Sequence, residues 1–233
     1  MDALATNPPP MSPPVSGIDS KEHPSRTCSM ARLSQPAPDF SCRALMQDLA
    51  FGSVSLAQHR GRYVLLLFYP LDFSFVCPTE LVEFSERAGE FCAAGCDVVA
   101  SSCDSLYAHF AWVNTPRKAA GLGRVNFPIL ADCTGAVARA YGAYDEEAGH
   151  AYRALFLVDP KGLVRHMTVC DLPIGRSVDE ALRQLHAVQF VDKHGDFCPT
   201  GWKPGGKHIK NDMKKGLEFF SDEAPSSTSS PSV

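Results

Sequence analysis

One stretch of this chain concentrates groups able to do chemistry. Tyr69 to Glu80 reads YPLDFSFVCPTE and carries one cysteine, Cys77, two prolines, Pro70 and Pro78, and two hydroxyls, Ser74 and Thr79. A thiol acts as a nucleophile only as its thiolate, so it needs a cation or oriented dipoles to hold the charge. Free cysteines are more often small buried hydrophobes, and this chain has nine. Position singles out Cys77. The apolar run before it, YVLLLFY (Tyr63 to Tyr69), has the length and composition of a buried strand. Pro78 behind it suits a helix start, and Leu81, Phe84, Ala88 and Phe91 are spaced for one helical face. Cys77 is therefore expected at a helix N-terminus, where unpaired N–H groups favour a thiolate. Ser74, three residues earlier, brings a hydroxyl to the same loop. The cation must come from elsewhere. Arg153 and Arg165 both stand on strand ends, and spacing does not choose between them.

The elements that must position these groups alternate. After the first strand and the Cys77 helix come a strand at 97–102 and a helix from 104 through LYAHFAWVN, with Asp104 as its expected N-cap. FPILAD reads as a short strand and TGAVARAYG as a helix. YRALFLVD and LVRHMTVC form a hairpin closed by the turn Asp159-Pro160-Lys161-Gly162. The last long helix starts at Ser177 with a capping box to Glu180 and buries Val178, Leu182 and Leu185. Such alternation followed by a hairpin and a helix predicts an α/β sandwich around a mixed sheet. His109 and Trp112, on the helix after Asp104, are expected to pack in the core or at an interface.

Length and composition limit the rest. The 233 residues suffice for one sizeable core. A net charge of −4 offers no basic excess for nucleic acid, and no apolar run approaches the roughly 20 residues that span a bilayer. The cysteines contain no C-x-x-C pair, and their odd number and irregular spacing argue against a secreted disulfide scaffold. A reduced, cytoplasmic protein is expected. Cys92 and Cys96 stand one helical turn apart with no histidine nearby, which fits packing of a helix end better than a metal. Residues 1–35, rich in Pro and Ser, lack both an apolar signal core and the arginine excess of a transit peptide, and are expected to be disordered. The tail after Phe220 is expected to be flexible.

FYPLDFSFVCPTE closely resembles the active-site loop of the peroxiredoxins (AhpC/TSA-like thiol peroxidases), with Pro70, Ser74 and Cys77 on the family signature. The similarity runs from about Ala37 to Phe220 through AWVNTPRK, DLPIGRSVDE and KHGDFCPTGWKPG. HGDFCPTGW resembles the resolving motif of the typical two-cysteine subclass, which assigns that role to Cys198. The resemblance implies a thioredoxin-like domain over 36–195 with a central mixed sheet flanked by helices. It implies a C-terminal arm over 196–233 that carries the resolving cysteine. It further implies that Cys77 attacks a peroxide, hydrogen peroxide or an organic hydroperoxide, and becomes a sulfenic acid. Arg153 would stabilise the thiolate and transition state, Ser74 and the backbone N–H of Cys77 would assist, and Pro70 would shield the sulfenate. Glu80 and Arg176 match a supporting charge network. Cys198 of a partner subunit would close a disulfide that thioredoxin reduces, in a homodimer able to assemble to a decamer. No prosthetic group or metal is implied. A ring-forming chaperone-like holdase or redox relay is the alternative in another class. The complete set Pro70, Ser74, Cys77 and Arg153 favours the peroxidase, and the missing C-x-x-C disfavours a protein disulfide oxidoreductase.

The sequence also departs from the family. Ser74 replaces the commoner threonine, AGLG (Ala120 to Gly123) replaces Gly-Gly-Leu-Gly, and Phe219-Phe220 replaces Tyr-Phe. Activity is expected to persist with Ser74, whereas the lost glycine and tyrosine hydroxyl are expected to loosen the hold on the resolving segment and to make Cys77 less prone to sulfinic acid formation. Cys170, in VCDLP, stands where relatives usually have asparagine.

Overall fold

The computed structural model describes residues 30–221. The extension up to residue 29 and the tail from 222 lie outside the described residues. An antiparallel hairpin, β1 (Ser41–Leu45) and β2 (Phe51–Ser55), opens the chain. β3 (Tyr63–Phe68) follows, apolar at every position and buried from Val64 onward, the pattern of a strand covered on both faces. Next come α1 (Cys77–Glu86), α2 (Ala88–Ala93), β4 (Cys96–Ser102), α3 (Leu106–Asn114), β5 (Ile129–Ala131) and α4 (Ala136–Ala140). A small pair, β6 (Tyr144–Asp145) and β7 (His150–Ala151), precedes the long hairpin β8 (Arg153–Val158) and β9 (Val164–Cys170). α5 (Val178–His194) and α6 (Met213–Ser221) complete the order.

Seven strands form one sheet in the order β2-β1-β5-β4-β3-β8-β9. β4 runs parallel to β3 and β5, and the other pairs are antiparallel. A parallel pair needs a crossover, and α1 with α2 supplies it between β3 and β4. Alternate residues of each strand serve opposite faces. Leu65, Leu67, Leu155 and Leu157 pack with Leu81, Phe84, Trp112, Val178 and Leu182 of α1, α3 and α5. Leu66, Phe68 and Phe156 pack with Val137, Ala138 and Tyr141 on the other side. Each fully buried leucine contributes about 1.5–3 kcal/mol of transfer free energy. The expected mixed sheet flanked by helices is the architecture observed.

Local expectations are met with instructive exceptions. The stripe Leu81, Phe84, Ala88, Phe91 is shared by two helices, because Arg87 (φ −103°, ψ 9°) leaves helical geometry between them. The cap of α3 is Ser105, whose hydroxyl accepts from Ala108 N–H, and not Asp104. Asp104 accepts instead from the Asp72 N–H and the Ser102 hydroxyl. Ser177 caps α5 as expected, but the Glu180 carboxylate turns to Arg183 and Gln184, leaving the capping box half made. The boundary expected at residue 36 also falls too late. Ala31 N–H donates to Ala140 O and Ser34 N–H to Val164 O, so residues 31–35 are pinned along the domain.

Ala120 occupies the left-handed region (φ 60°, ψ 19°), where its Cβ crowds the backbone. Its carbonyl accepts from the Trp112 indole at 2.9 Å, which fixes that geometry. Ala120→Gly is therefore expected to stabilise the protein by roughly 1 kcal/mol. Urea unfolding checks this: a raised midpoint at constant slope supports it, and an unchanged or lowered midpoint refutes it.

Candidate active site

β3 ends in the core at Phe68, and the chain turns through Pro70 to Val76 before entering α1 at Cys77. Three side chains tether that turn. The Tyr69 hydroxyl donates to Asp72 Oδ1 at 2.7 Å, and Asp72 Oδ2 lies 2.8 Å from His109 Nδ1. His109 Nε2 lies 3.1 Å from the Leu130 carbonyl. Both ring nitrogens thus face oxygen atoms, which fixes the ring between the loop and β5. Burial pushes the Asp72 carboxyl up, against the pull of His109. Sequence reasoning expected only packing for His109 and no role for Asp72. The cluster joins three segments far apart in the chain, so no local spacing announces it. Phe73, next to Asp72, is held in the left-handed region (φ 57°), a strained conformation for an aromatic residue.

Cys77 is the first residue of α1 and wholly buried. Its N–H belongs to the first helical turn and has no intrahelical acceptor. Arg153 begins β8, two strand positions from Leu155 at the sheet centre, and its Nη1 donates to Cys77 Sγ at 3.2 Å. The same nitrogen donates to Glu80 Oε2 at 2.8 Å, and Arg153 Nε donates to the Leu172 carbonyl. Glu80, one turn along α1, binds Arg176 through its Nε at 2.8 Å, its Nη2 at 2.9 Å and its backbone N–H at 2.7 Å. Arg176 Nη1 donates further to the carbonyls of Phe68 and Ala154. One buried carboxylate thus orients two buried guanidiniums, one of them against the thiol. Burial pushes the Glu80 carboxyl up, but the Arg176 and Arg153 bonds outweigh it and hold it below the usual glutamate range.

The residues expected together are mostly brought together. Cys77, Arg153, Glu80 and Arg176 form one connected group, and Pro70 is buried at the head of the loop. Arg165, the other cation left open by the sequence, lies apart and pairs with Asp159 and Asp192. Ser74 is in the loop, but its hydroxyl donates to the Leu71 carbonyl at 2.8 Å, which shapes the turn. Cys198 sits on α5 instead, its Sγ 3.8 Å from the Ala187 carbonyl. Ala187 is nine residues past the start of α5, roughly 13 Å along the axis, whereas Arg176 and Glu80 border that start. Burial pushes the Cys198 thiol up, with Arg183 pulling it partly back. The arm beyond it is seated by Trp202, whose ring lies 4.7 Å from Phe190, and by a bridge between Phe197 and Ile209. No hydrogen bond or ring contact among the described residues joins Phe219 or Phe220 to the AGLG turn.

Comparison with known proteins agrees with this arrangement. Residues 33–167 match the AhpC/TSA family model, and residues 187–220 match that of the C-terminal domain of 1-Cys peroxiredoxin. Peroxiredoxin-1 of Gallus gallus is 49% identical over 193 residues, 83% of this chain and 97% of its own length. A thioredoxin peroxidase of Trypanosoma brucei rhodesiense is 51% identical over 84% of this chain and 98% of its own. The reduced 2-Cys peroxiredoxin of Plasmodium vivax superposes with a TM-score of 0.79 at 37% identity, covering 81% of this chain and 98% of that one.

Proposed function

This chain belongs to the AhpC/TSA family of peroxiredoxins, and on that premise we propose that Cys77 is its peroxidatic nucleophile, Arg153 its activating cation and Cys198 its resolving thiol. The protein is a thiol peroxidase that draws its electrons from thioredoxin. The observation that carries the assignment of roles is the 3.2 Å contact between Arg153 Nη1 and Cys77 Sγ. A guanidinium does not give up its proton at working pH, so a fixed positive charge with N–H donors stands beside the sulfur.

The Cys77 thiolate attacks the outer oxygen of the peroxide. The S–O bond forms as the O–O bond breaks, and the departing oxygen leaves as water or an alcohol once protonated. Negative charge moves from sulfur onto the leaving oxygen, and Arg153 stands beside the sulfur with N–H groups to follow it. Glu80 and Arg176 are positioning residues that hold Arg153 in place. The backbone N–H of Cys77, free at the helix start, is a further donor, and Pro70 limits water at the sulfenate. Ser74 orders the loop through Leu71, with lone pairs left to accept a bond from the peroxide.

Arg153→Met is expected to lower kcat/KM for peroxide by about 10²–10³, the usual effect of deleting one transition-state donor. NADPH oxidation coupled through thioredoxin and its reductase measures this, and a loss under threefold would remove Arg153 from the mechanism.

Resolution needs movement. A disulfide brings two sulfurs to about 2.05 Å, whereas Cys77 is buried in a helical turn. The first turn of α1, held by the Thr79 and Glu80 N–H groups on the Val76 carbonyl, must open. Cys198 then condenses with the sulfenic acid of a partner subunit, releasing water. Peroxide-treated wild type should run as a disulfide-linked dimer on a non-reducing gel, and Cys198→Ser as a monomer. A linked dimer surviving in Cys198→Ser would contradict the assignment.

The loop offers surface for assembly beyond the dimer. Leu71, Phe73 and Phe75 are exposed, Phe75 at 89%. Phe51, Tyr107 and Phe110 are exposed as well, and Phe51 makes edge-on ring contacts with the other two. Aromatic area of this kind fits coverage by further copies of the chain, with a ring of five dimers as the expected form.

A further inference from the structure

Cys170 closes β9 directly opposite Arg153 in the β8–β9 ladder. Paired residues of neighbouring strands present their side chains to one face. Here that face carries Leu155 and Leu157 into the core shared with Cys77, Leu81 and Val178. Arg153 runs from the backbone opposite Cys170 to the Cys77 thiol. Its backbone stands about 4.5–5.5 Å from that of Cys170, while its Nη1 touches Cys77 Sγ at 3.2 Å. Its Nε is anchored on the Leu172 carbonyl, two residues beyond Cys170. Cys170 is a free thiol and only partly buried. Other thiols among the described residues have different surroundings. Cys96 is buried behind α2, and Cys103 and Cys42 are pushed up by burial near Asp132.

Resting on the reading of Cys77 as the peroxidatic residue, we propose that Cys170 is a second resolving thiol, which closes a disulfide with Cys77 inside one subunit when Cys198 of the partner is absent or displaced. The Cys170 sulfur attacks the sulfenic sulfur of Cys77. The S–S bond forms, the S–O bond breaks, and the thiol proton leaves with the hydroxyl as water. The peroxide consumed in the first step is the only oxidant. The resulting disulfide is open to the same dithiol reductant that serves the Cys198 route. Both routes use one movement. Opening the first turn of α1 lets each released residue span up to about 3.3 Å instead of 1.5 Å. That carries Cys77 along the arginine toward the end of β9, where a disulfide needs Cα atoms within about 6.8 Å. The inter-subunit arm must be delivered by a partner, whereas Cys170 is always in place.

The test uses the full chain carrying Cys198→Ser, treated with one equivalent of hydrogen peroxide and then with dimedone, and mapped without reduction. The expected result is a peptide pair joined through Cys77 and Cys170 in a protein that remains monomeric on a non-reducing gel. Turnover with thioredoxin should persist in Cys198→Ser. It should fall by at least about tenfold in Cys198→Ser/Cys170→Ser and equally in Cys198→Ser/Cys170→Asn, where the second side chain keeps the site filled. A dimedone adduct on Cys77 of the single variant, with Cys170 still free, overturns the proposal and leaves the peroxidatic assignment intact. Absence of any adduct on Cys77 in the double variants overturns that assignment, and the proposal with it.

Discussion

Cys77→Ser is expected to abolish peroxide consumption while leaving the fold in place. The substitution exchanges one atom at a fully buried position, and a serine hydroxyl can still accept the Arg153 N–H. The change in stability should therefore stay within about 1 kcal/mol. Chemistry is another matter. A guanidinium beside the hydroxyl cannot generate a serine alkoxide near neutral pH, and oxygen lacks the polarisable lone pairs that sulfur turns on a peroxide. Enzymes accelerate reactions by roughly 10⁶ or more, and a donor such as Arg153 accounts for about 10² of that on its own. The expected loss is then on the order of 10⁴-fold, to background in a coupled assay. Circular dichroism and a urea midpoint matching wild type would show that the fold survives. A folded Cys77→Ser variant with activity within tenfold of wild type would move the nucleophile to another thiol.

Glu80→Gln is expected to have the largest effect on stability of any single change in the site. The Glu80 side chain is 2% exposed and those of Arg153 and Arg176 are 4% and 3% exposed. The carboxylate accepts four hydrogen bonds from these two residues. Removing its charge leaves two buried cations facing one neutral amide, and the amide NH₂ points a donor at donors. Breaking a buried pair in this way costs about 3–5 kcal/mol, a large part of the 5–15 kcal/mol that holds a typical domain. Arg153 also loses its anchor, so activity should fall together with the urea midpoint. A destabilisation below about 1 kcal/mol would show that the network is not what holds this face.

The acid dependence of Glu80 has a definite sign. Its folded pKa lies below its ordinary value of 4.5. The stabilisation is therefore fully present above pH 4.5 and is lost as pH falls through the folded value. The difference between wild type and Glu80→Gln should shrink in that acid range and be constant from pH 5 to 8. A gap that grows on acidification would contradict this.

Much of this molecule is legible in the sequence, because the relevant signals are local. A strand covered on both faces must be apolar throughout, as β3 is, and an amphipathic helix must repeat every 3.6 residues, as α5 does. Proline at 78 and the apolar run before it locate the thiol at a helix start without any tertiary information. The hairpin turn at 159–162 and the cap at Ser177 follow from the same kind of short-range chemistry. The elements missed or misplaced are those in which local preference is weak. β1 and β2 are short strands with polar residues on one face, and α6 is a single amphipathic stretch beyond the core. Asp104 has the side chain of a cap, yet the Asp72 loop claims its carboxylate.

What the fold alone decides is which distant groups meet. Arg153 and Arg165 are equivalent candidates in the sequence, both on the ends of strands in one hairpin. Only the pairing of β8 with β3, Leu67 opposite Leu155, points Arg153 at the end of the strand where Cys77 begins its helix and sends Arg165 toward Asp159 and Asp192. The same register sets Cys170 across from Arg153. Likewise, the buried pair of Asp72 and His109 joins side chains 37 residues apart, and Cys198 meets the Ala187 carbonyl only because the arm folds back on α5. Periodicity reports how a segment relates to its own neighbours along the chain. The site is built from contacts across the sheet, and those exist only once register and crossover are fixed.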